Sequence, residues 1–162
     1  MQRVYLASPL GFAASTKPYM AQLEAALRPL LAIDNPWSFQ TVPPTEREAV
    51  ERIADRAAHA AAVHALNHRI AAANEGAIRR CDLVIAVLDG VDVDSGTASE
   101  IGLGYALGKQ VWGLRTDFRA TGENPGAIVN LQVQYFIEAS GGKIATSIEE
   151  LIELVKASLV PT

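Results

Sequence analysis

The sequence predicts a doubly wound α/β domain: a five-stranded parallel sheet of flavodoxin-like (Rossmann-like) order 2-1-3-4-5, with helices on both faces. Three observations carry this. Short runs rich in valine and isoleucine alternate with longer stretches of helical spacing, without repeats or low-complexity segments. Leu83 to Leu88 is an unbroken apolar run, as expected of a strand covered on both faces. From Cys81 to Arg115 the pattern reads strand, acidic loop, helix, strand, which is a right-handed parallel crossover unit.

At 162 residues the chain fits one domain, 1–162, able to bury its core without staples. Its net charge of −4 gives no basic footprint for a nucleic-acid polymer. The single cysteine, Cys81, rules out an intrachain disulfide or thiolate cluster and suits a reducing compartment. The N-terminus enters a strand without a signal-peptide pattern, and no apolar run approaches membrane-spanning length. The expectation is a soluble cytoplasmic protein with no membrane partner.

Arg3 to Ala7 forms the first strand, with Val4-Tyr5-Leu6-Ala7 at its heart. It runs into Ser8-Pro9-Leu10-Gly11-Phe12, a turn-rich loop holding two hydrophobes. Leu10 and Phe12 either line a cleft or fold back on the core. With one glycine and a proline, the loop is a poor match to a phosphate-cradling turn. Ser15 or Thr16 caps a helix with Pro18 in its first turn. Trp37 to Val42 is read as the second strand, closed by Pro43-Pro44. Thr45 to Ala73 is helical, with a break near Asn67, and Asn74-Glu75 begins another helical turn through Ile78. His64 and His68 stand four apart without an acidic partner, so no metal is assigned.

After Leu88, Asp89-Gly90 stops the strand, and Ser95-Gly96 or Thr97 opens a helix that ends at Gly108. Val111 to Leu114 is the fourth strand, and Arg115 to Gly126 a polar loop. Asn130-Leu131-Gln132-Val133 opens a short helix or extended piece. Lys143 to Ala145 is the fifth strand, and Thr146 or Ser147 caps a last helix with Glu149 and Glu150 in its first turn. Asp89, Asp92, Asp94 and Glu100 all follow one strand's carboxyl end, where ligands bind in open α/β sheets. Solvated loop acids are the alternative reading for Asp92 and Asp94. Glu100 sits between Ala98 and Gly102, where small residues admit a ligand or a neighbouring backbone.

Four pieces of the chain, Tyr5-Leu6-Ala7, Asn74 ahead of Cys81-Asp82-Leu83-Val84-Ile85-Ala86, the run Asp94-Ser95-Gly96-Thr97-Ala98-Ser99-Glu100-Ile101-Gly102, and Asn130-Leu131, together resemble the nucleoside 2-deoxyribosyltransferase family. The third is the specific one. The resemblance implies cleavage of the N-glycosidic bond of a 2′-deoxynucleoside and transfer of deoxyribose to another free nucleobase, without a cofactor. It implies Glu100 as nucleophile, Asp94 as the acid that handles the base's proton, and Tyr5 as the phenol that orients Glu100. It further implies substrate contacts from Leu10, Gly11, Phe12, Asn74, Asp89, Gly96 and Asn130. Asn130 would serve a neighbouring subunit's 5′-hydroxyl site, so a homo-oligomer is expected, a dimer at least, with hexamers frequent in the family. Two departures stand out: Asn74 replaces an aspartate, and the end Leu159-Val160-Pro161-Thr162 lacks a tyrosine found in some members.

Two competing functions fit the same fold. One is hydrolysis of 2′-deoxynucleoside 5′-monophosphates, with Ser8, Ser15, Thr16 and Lys17 as the candidate phosphate pocket. The other is a non-enzymatic nucleotide-sensing module. A phosphoacceptor receiver would need acids at the end of the first strand, where Tyr5 to Ser8 has none.

Overall fold

The computed structural model describes residues 1–159. Five parallel strands form one sheet: β1 (Arg3–Ala7), β2 (Ala32–Asp34), β3 (Leu83–Val87), β4 (Gln110–Leu114) and β5 (Ile144–Ala145), in the order β2-β1-β3-β4-β5. Six α-helices accompany them: α1 (Lys17–Leu27), α2 (Pro44–Glu51), α3 (Arg56–Arg80), α4 (Ser95–Ala106), α5 (Leu131–Ala139) and α6 (Ile148–Leu159). The expected order is therefore present, with β1 and β3 adjacent in the register Tyr5↔Val84 and Ala7↔Ala86.

The alternation of side chains along each strand divides the core into two layers. Val4, Leu6, Ile85 and Leu114 pack against Leu23 and Leu27 of α1 and Leu151 and Val155 of α6. Tyr5, Ala7, Val84 and Val111 face Ile78 of α3, Ile101 of α4 and Ile137 of α5. Because β3, and β1 from Val4 onward, are buried on both faces, those stretches carry no charged residue.

The second strand differs from its expected place. It is Ala32–Asp34, held by parallel pairing of Val4 with Ile33 and by the Arg3–Asp34 ion pair at 2.8 Å. Trp37 lies instead in a 3-10 turn, Pro36–Ser38. Asn35 dictates this turn: its side-chain oxygen accepts from Trp37 N at 3.0 Å, and Pro36 fixes the first turn residue. The expected helix break near Asn67 is also displaced. Asn67 and Asn74 both lie inside α3, and the interruption falls before it, where Asp55 accepts from Ala58 N at 2.8 Å as N-cap.

Thr16 occupies the cap position of α1 without a side-chain cap bond, and its hydroxyl donates to Leu10 O at 2.5 Å. At the last helix, Ser147 Oγ accepts from Glu150 N at 3.1 Å, and the Glu150 carboxylate accepts from Thr146 N at 2.7 Å. No helix among the described residues is long and apolar enough to cross a membrane, and no group of three His, Cys, Asp or Glu side chains there is placed to hold a metal. Val160, Pro161 and Thr162, part of the end that lacks a tyrosine, lie outside the described residues.

Candidate active site

The cleft opens beyond the carboxyl ends of β1 and β3, where the strand order reverses. Its first catalytic candidate is positioned by α4. Asp94 caps that helix, accepting from Thr97 N at 3.0 Å and from Thr97 Oγ1 at 3.3 Å, both on Oδ2. The helix then runs close against the sheet. A Cβ on Gly104 would lie 2.8 Å from Val84 Cγ2, so only glycine permits this approach. One turn earlier on the same helix, Glu100 meets β1. The Tyr5 hydroxyl donates to Glu100 Oε1 at 2.5 Å.

Burial raises the Glu100 carboxyl to about 7; the Tyr5 hydrogen bond pulls it down and the charge of Asp94 pushes it up. Tyr5 is fully buried. Burial first, then the neighbouring Glu100, drives its phenol far above the ordinary value, so Tyr5 stays a donor at any physiological pH. The result is a carboxyl poised between its two forms near neutrality, oriented by a permanent donor, with a second carboxyl alongside.

The cleft encloses about 290 Å³ and has one apolar side made by Phe12, Pro36, Trp37 and Ile70. That volume lies near the lower end of the ~300–1,000 Å³ usual for small-molecule sites. Phe12 meets the Trp37 ring edge to face, centroids 4.6 Å apart and planes at 79°. Both remain open to solvent, Phe12 at 75% and Trp37 at 40%, which is unusual for large aromatics outside a binding surface. The indole is fixed from behind. Trp37 Nε1 donates to Ser8 O at 2.7 Å, and a Cβ on Gly11 would fall 1.9 Å from Trp37 Cδ2. Asn74 of α3 and Gly96 of α4 complete the floor beside Asp94 and Glu100.

The structure thus brings together Tyr5, Phe12, Asn74, Asp94, Gly96 and Glu100, with Gly11 acting beneath Trp37. Two expected contacts, Leu10 and Asp89, are not at this cleft, and Asn130, expected at a neighbouring subunit's site, lies at the start of α5. Leu10 folds back into the layer formed with α1 and α6, because its loop closes on the core through Thr16. Asp89 is spent on the loop after β4, accepting from Thr116 N at 2.6 Å, Thr116 Oγ1 at 2.9 Å and Asp117 N at 2.8 Å. Asn130 caps α5, accepting from Gln132 N at 3.0 Å, and donates to Glu123 at 2.7 Å. Asp92 is likewise local, accepting from Val93 N at 2.7 Å. Sequence reading missed Pro36, Trp37 and Ile70. The signal was Asn35-Pro36, a turn pair that closes the true β2 and places the indole at the sheet's ligand edge.

The candidate phosphate residues of the Ser8–Lys17 loop make local contacts, and Ser8 also lines the Glu100 cleft. Ser8 Oγ accepts from Leu10 N at 3.0 Å, the Thr16 hydroxyl serves Leu10 and Ala13 carbonyls, and Ser15 and Lys17 point into solvent-exposed surroundings. None of the described residues lining the Glu100 cleft is basic.

Fold and cleft describe a doubly wound α/β protein with two carboxyls beside a cleft at the ligand edge of its sheet. The chain belongs to the nucleoside 2-deoxyribosyltransferase family, whose sequence profile matches residues 4–132. Among solved structures it is similar to a conserved protein from Enterococcus faecalis V583, at 28% identity and TM-score 0.73, covering 98% of this chain and 99% of that one. It is similar in fold to a 2-deoxyribosyltransferase from Leishmania mexicana, at 23% identity and TM-score 0.65, covering 98% and 100%. A CMP N-glycosidase from Clostridium botulinum shares the fold at 21% identity and TM-score 0.55, covering 98% and 100%. No curated protein matches the sequence.

Proposed function

We propose that the protein transfers 2-deoxyribose between nucleobases through a covalent ester on Glu100. The observation that carries this reading is the Tyr5–Glu100 pair at 2.5 Å in a cleft whose lining offers aromatic rings and a second acid but no cation. Such a cleft suits a neutral nucleoside. A 5′-phosphate would face Asp94 and Glu100 without a compensating charge.

In the first half-reaction a Glu100 carboxylate oxygen bonds to C1′ as the C1′–N bond breaks. The bonding pair leaves with the base, which takes a proton from the acid beside it, Asp94. Splitting one hard displacement into two is the gain from a covalent intermediate, and an adjacent carboxylate favours the positive charge that builds on the sugar. In the second half-reaction an incoming base attacks C1′, its proton passes to Asp94, and the ester bond to Glu100 breaks. Tyr5 holds Glu100 in line throughout. Asn74 binds the base but, as an amide, moves no proton. On the same reading Asn130 reaches the cleft of a neighbouring subunit, which makes a dimer the smallest active unit.

Incubating the protein with deoxyinosine and adenine, and following bases and nucleosides by chromatography, tests this. New deoxyadenosine is expected. Release of free base only from a deoxynucleoside 5′-monophosphate would replace transfer by hydrolysis, and binding without turnover would leave a sensing module.

A further inference from the structure

A second cleft, of about 260 Å³, adjoins the first and shares Pro36, Trp37, Ile70 and Asn74 with it. Its remaining lining is Phe39, Thr41 and Arg47. Neither Asp94 nor Glu100 lines it. It therefore extends the aromatic end of the site, away from the carboxylates.

Among the described residues, Arg47 is the one cation lining either cleft. Its guanidinium makes a single long bond among the described residues, from Nε to Val42 O at 3.4 Å. The acids flanking it on α2 are engaged elsewhere: Glu46 pairs with Arg69, and Glu48 with Arg52 at 3.1 Å. Arg69 also donates to Thr41 O at 3.1 Å, tying α3 to the segment that walls the second cleft. The fork of Arg47 is thus left with donors to offer, in a cleft whose wall is held in place.

We propose that Arg47 reads an oxygen-bearing edge of the nucleobase, that of a 6-oxopurine, through this second cleft. The inference rests on the transfer reading above and assigns its base preference. With C1′ at Glu100, the sugar and its 5′-group stay at the carboxylate end. What extends past Trp37 and Asn74 is the far edge of the base. A guanidinium presents parallel N–H donors, which match the adjacent O6 and N7 acceptors of a 6-oxopurine. Adenine places an amino donor where one of those acceptors is needed, leaving a guanidinium donor opposed.

The test is calorimetric binding of free hypoxanthine and free adenine to the full chain, as wild type, Arg47→Ala and Arg47→Lys. Arg47→Ala is expected to weaken hypoxanthine about ten-fold more than adenine, the scale of one bidentate contact. Arg47→Lys keeps the charge without the fork, so it should recover part of that difference. Equal losses for both bases, or no base binding at all, overturn the proposal. So does an Arg47 effect seen only with a deoxynucleoside 5′-monophosphate, which assigns the guanidinium to phosphate. Binding is read apart from turnover. Arg47-dependent base choice without sugar transfer would sustain this inference and remove the transfer reading; transfer with Arg47-independent base choice would do the reverse.

Discussion

The Tyr5 hydroxyl and Glu100 Oε1 stand 2.5 Å apart although 95 residues separate them in the chain. Two structural choices create the contact. Tyr5 points to the α4 side because β1 alternates its side chains, and α4 comes close enough because Gly104 rests on Val84. The bond favours the charged form of Glu100, while burial and Asp94 oppose it. The site therefore holds an acid near its midpoint at neutral pH, and several consequences of that balance are measurable.

Glu100→Gln removes the nucleophile while keeping an acceptor for Tyr5. Sugar transfer should fall by about three orders of magnitude or more, as for loss of an essential nucleophile. Stability should move the other way. Burial raises Glu100 from 4.5 to about 7, so between those pH values the folded protein holds a proton that the unfolded chain has lost. The contribution of this group to stability thus declines as pH rises through that window and stays low above it. Glu100→Gln should therefore be more stable than wild type at pH 8, by about 1–3 kcal/mol, and close to it at pH 4.5. Denaturant melts at both pH values, beside the transfer assay, check both halves. Near-normal turnover would remove Glu100 from the role.

The attack needs Glu100 ionised while the proton for the leaving base sits on Asp94, so the active form carries one proton between the two acids, and kcat/KM should fall about ten-fold per pH unit above about 7, where that proton is lost. Two variants should change that limb in different ways. Tyr5→Phe removes the bond that lowers the Glu100 value, so the limb shifts to higher pH. Asp94→Asn removes the shared proton, so the falling limb should vanish and the weak remaining activity should instead rise with pH as Glu100 ionises. A merely structural role for either residue predicts lower activity with an unmoved profile.

The layering and strand order were legible because β1, β3 and β4 are buried strands whose apolar runs have no helical competitor. Glu100 and Asp94 stood out because one short run follows one such strand, and Asn74 because it stands just ahead of that strand. β2 was not, since its three residues continue the apolar tail of α1 and only pairing with β1 makes them a strand. Trp37 was misplaced with it. The fates of Asp89 and Leu10 depend on loops that close from elsewhere in the chain, Thr116 in one case and Thr16 in the other. Spacing along the sequence carries no trace of such contacts.

Asp94 holds two positions at once, and substitution can separate them. Asparagine caps helices about as well as aspartate but carries no proton. Asp94→Asn should keep the melting temperature within a degree or two while lowering kcat by about 10²–10⁴. Asp94→Ala should lose the proton carrier and also about 1 kcal/mol of stability through the vacated cap on Thr97 N. Equal stability losses in both variants would mean that the cap is not what Asp94 contributes to folding.

Gly11→Ala should act as a remote lesion of the aromatic wall. The new methyl falls on the Trp37 ring, so the indole must leave its bond to Ser8 O and its contact with Phe12. The expected result is a rise in KM of about ten-fold with kcat less affected, since ring contacts bind substrate and transition state alike. A red-shifted Trp37 emission, read in a Trp112→Phe background, would report the displaced indole. An unmoved KM would mean that the wall does not hold the base.

Asn130 allows the shared-site reading to be separated from simple helix capping. Its oxygen accepts from Gln132 N at 3.0 Å and Val133 N at 3.3 Å, and its amide donates to Glu123 at 2.7 Å. Serine preserves a good cap and removes the amide. If the amide serves a neighbouring subunit's substrate, Asn130→Ser should lower kcat/KM by about ten-fold or more while melting temperature and oligomer size hold. Mixing Asn130→Ser with Glu100→Gln subunits sharpens the test. In a dimer with shared clefts, each mixed pair carries one cleft with both lesions and one with neither, so activity should reappear on mixing two weak parents. A monomeric protein that transfers sugar, or parents that fail to complement despite exchanging subunits, would return Asn130 to the cap of α5 alone.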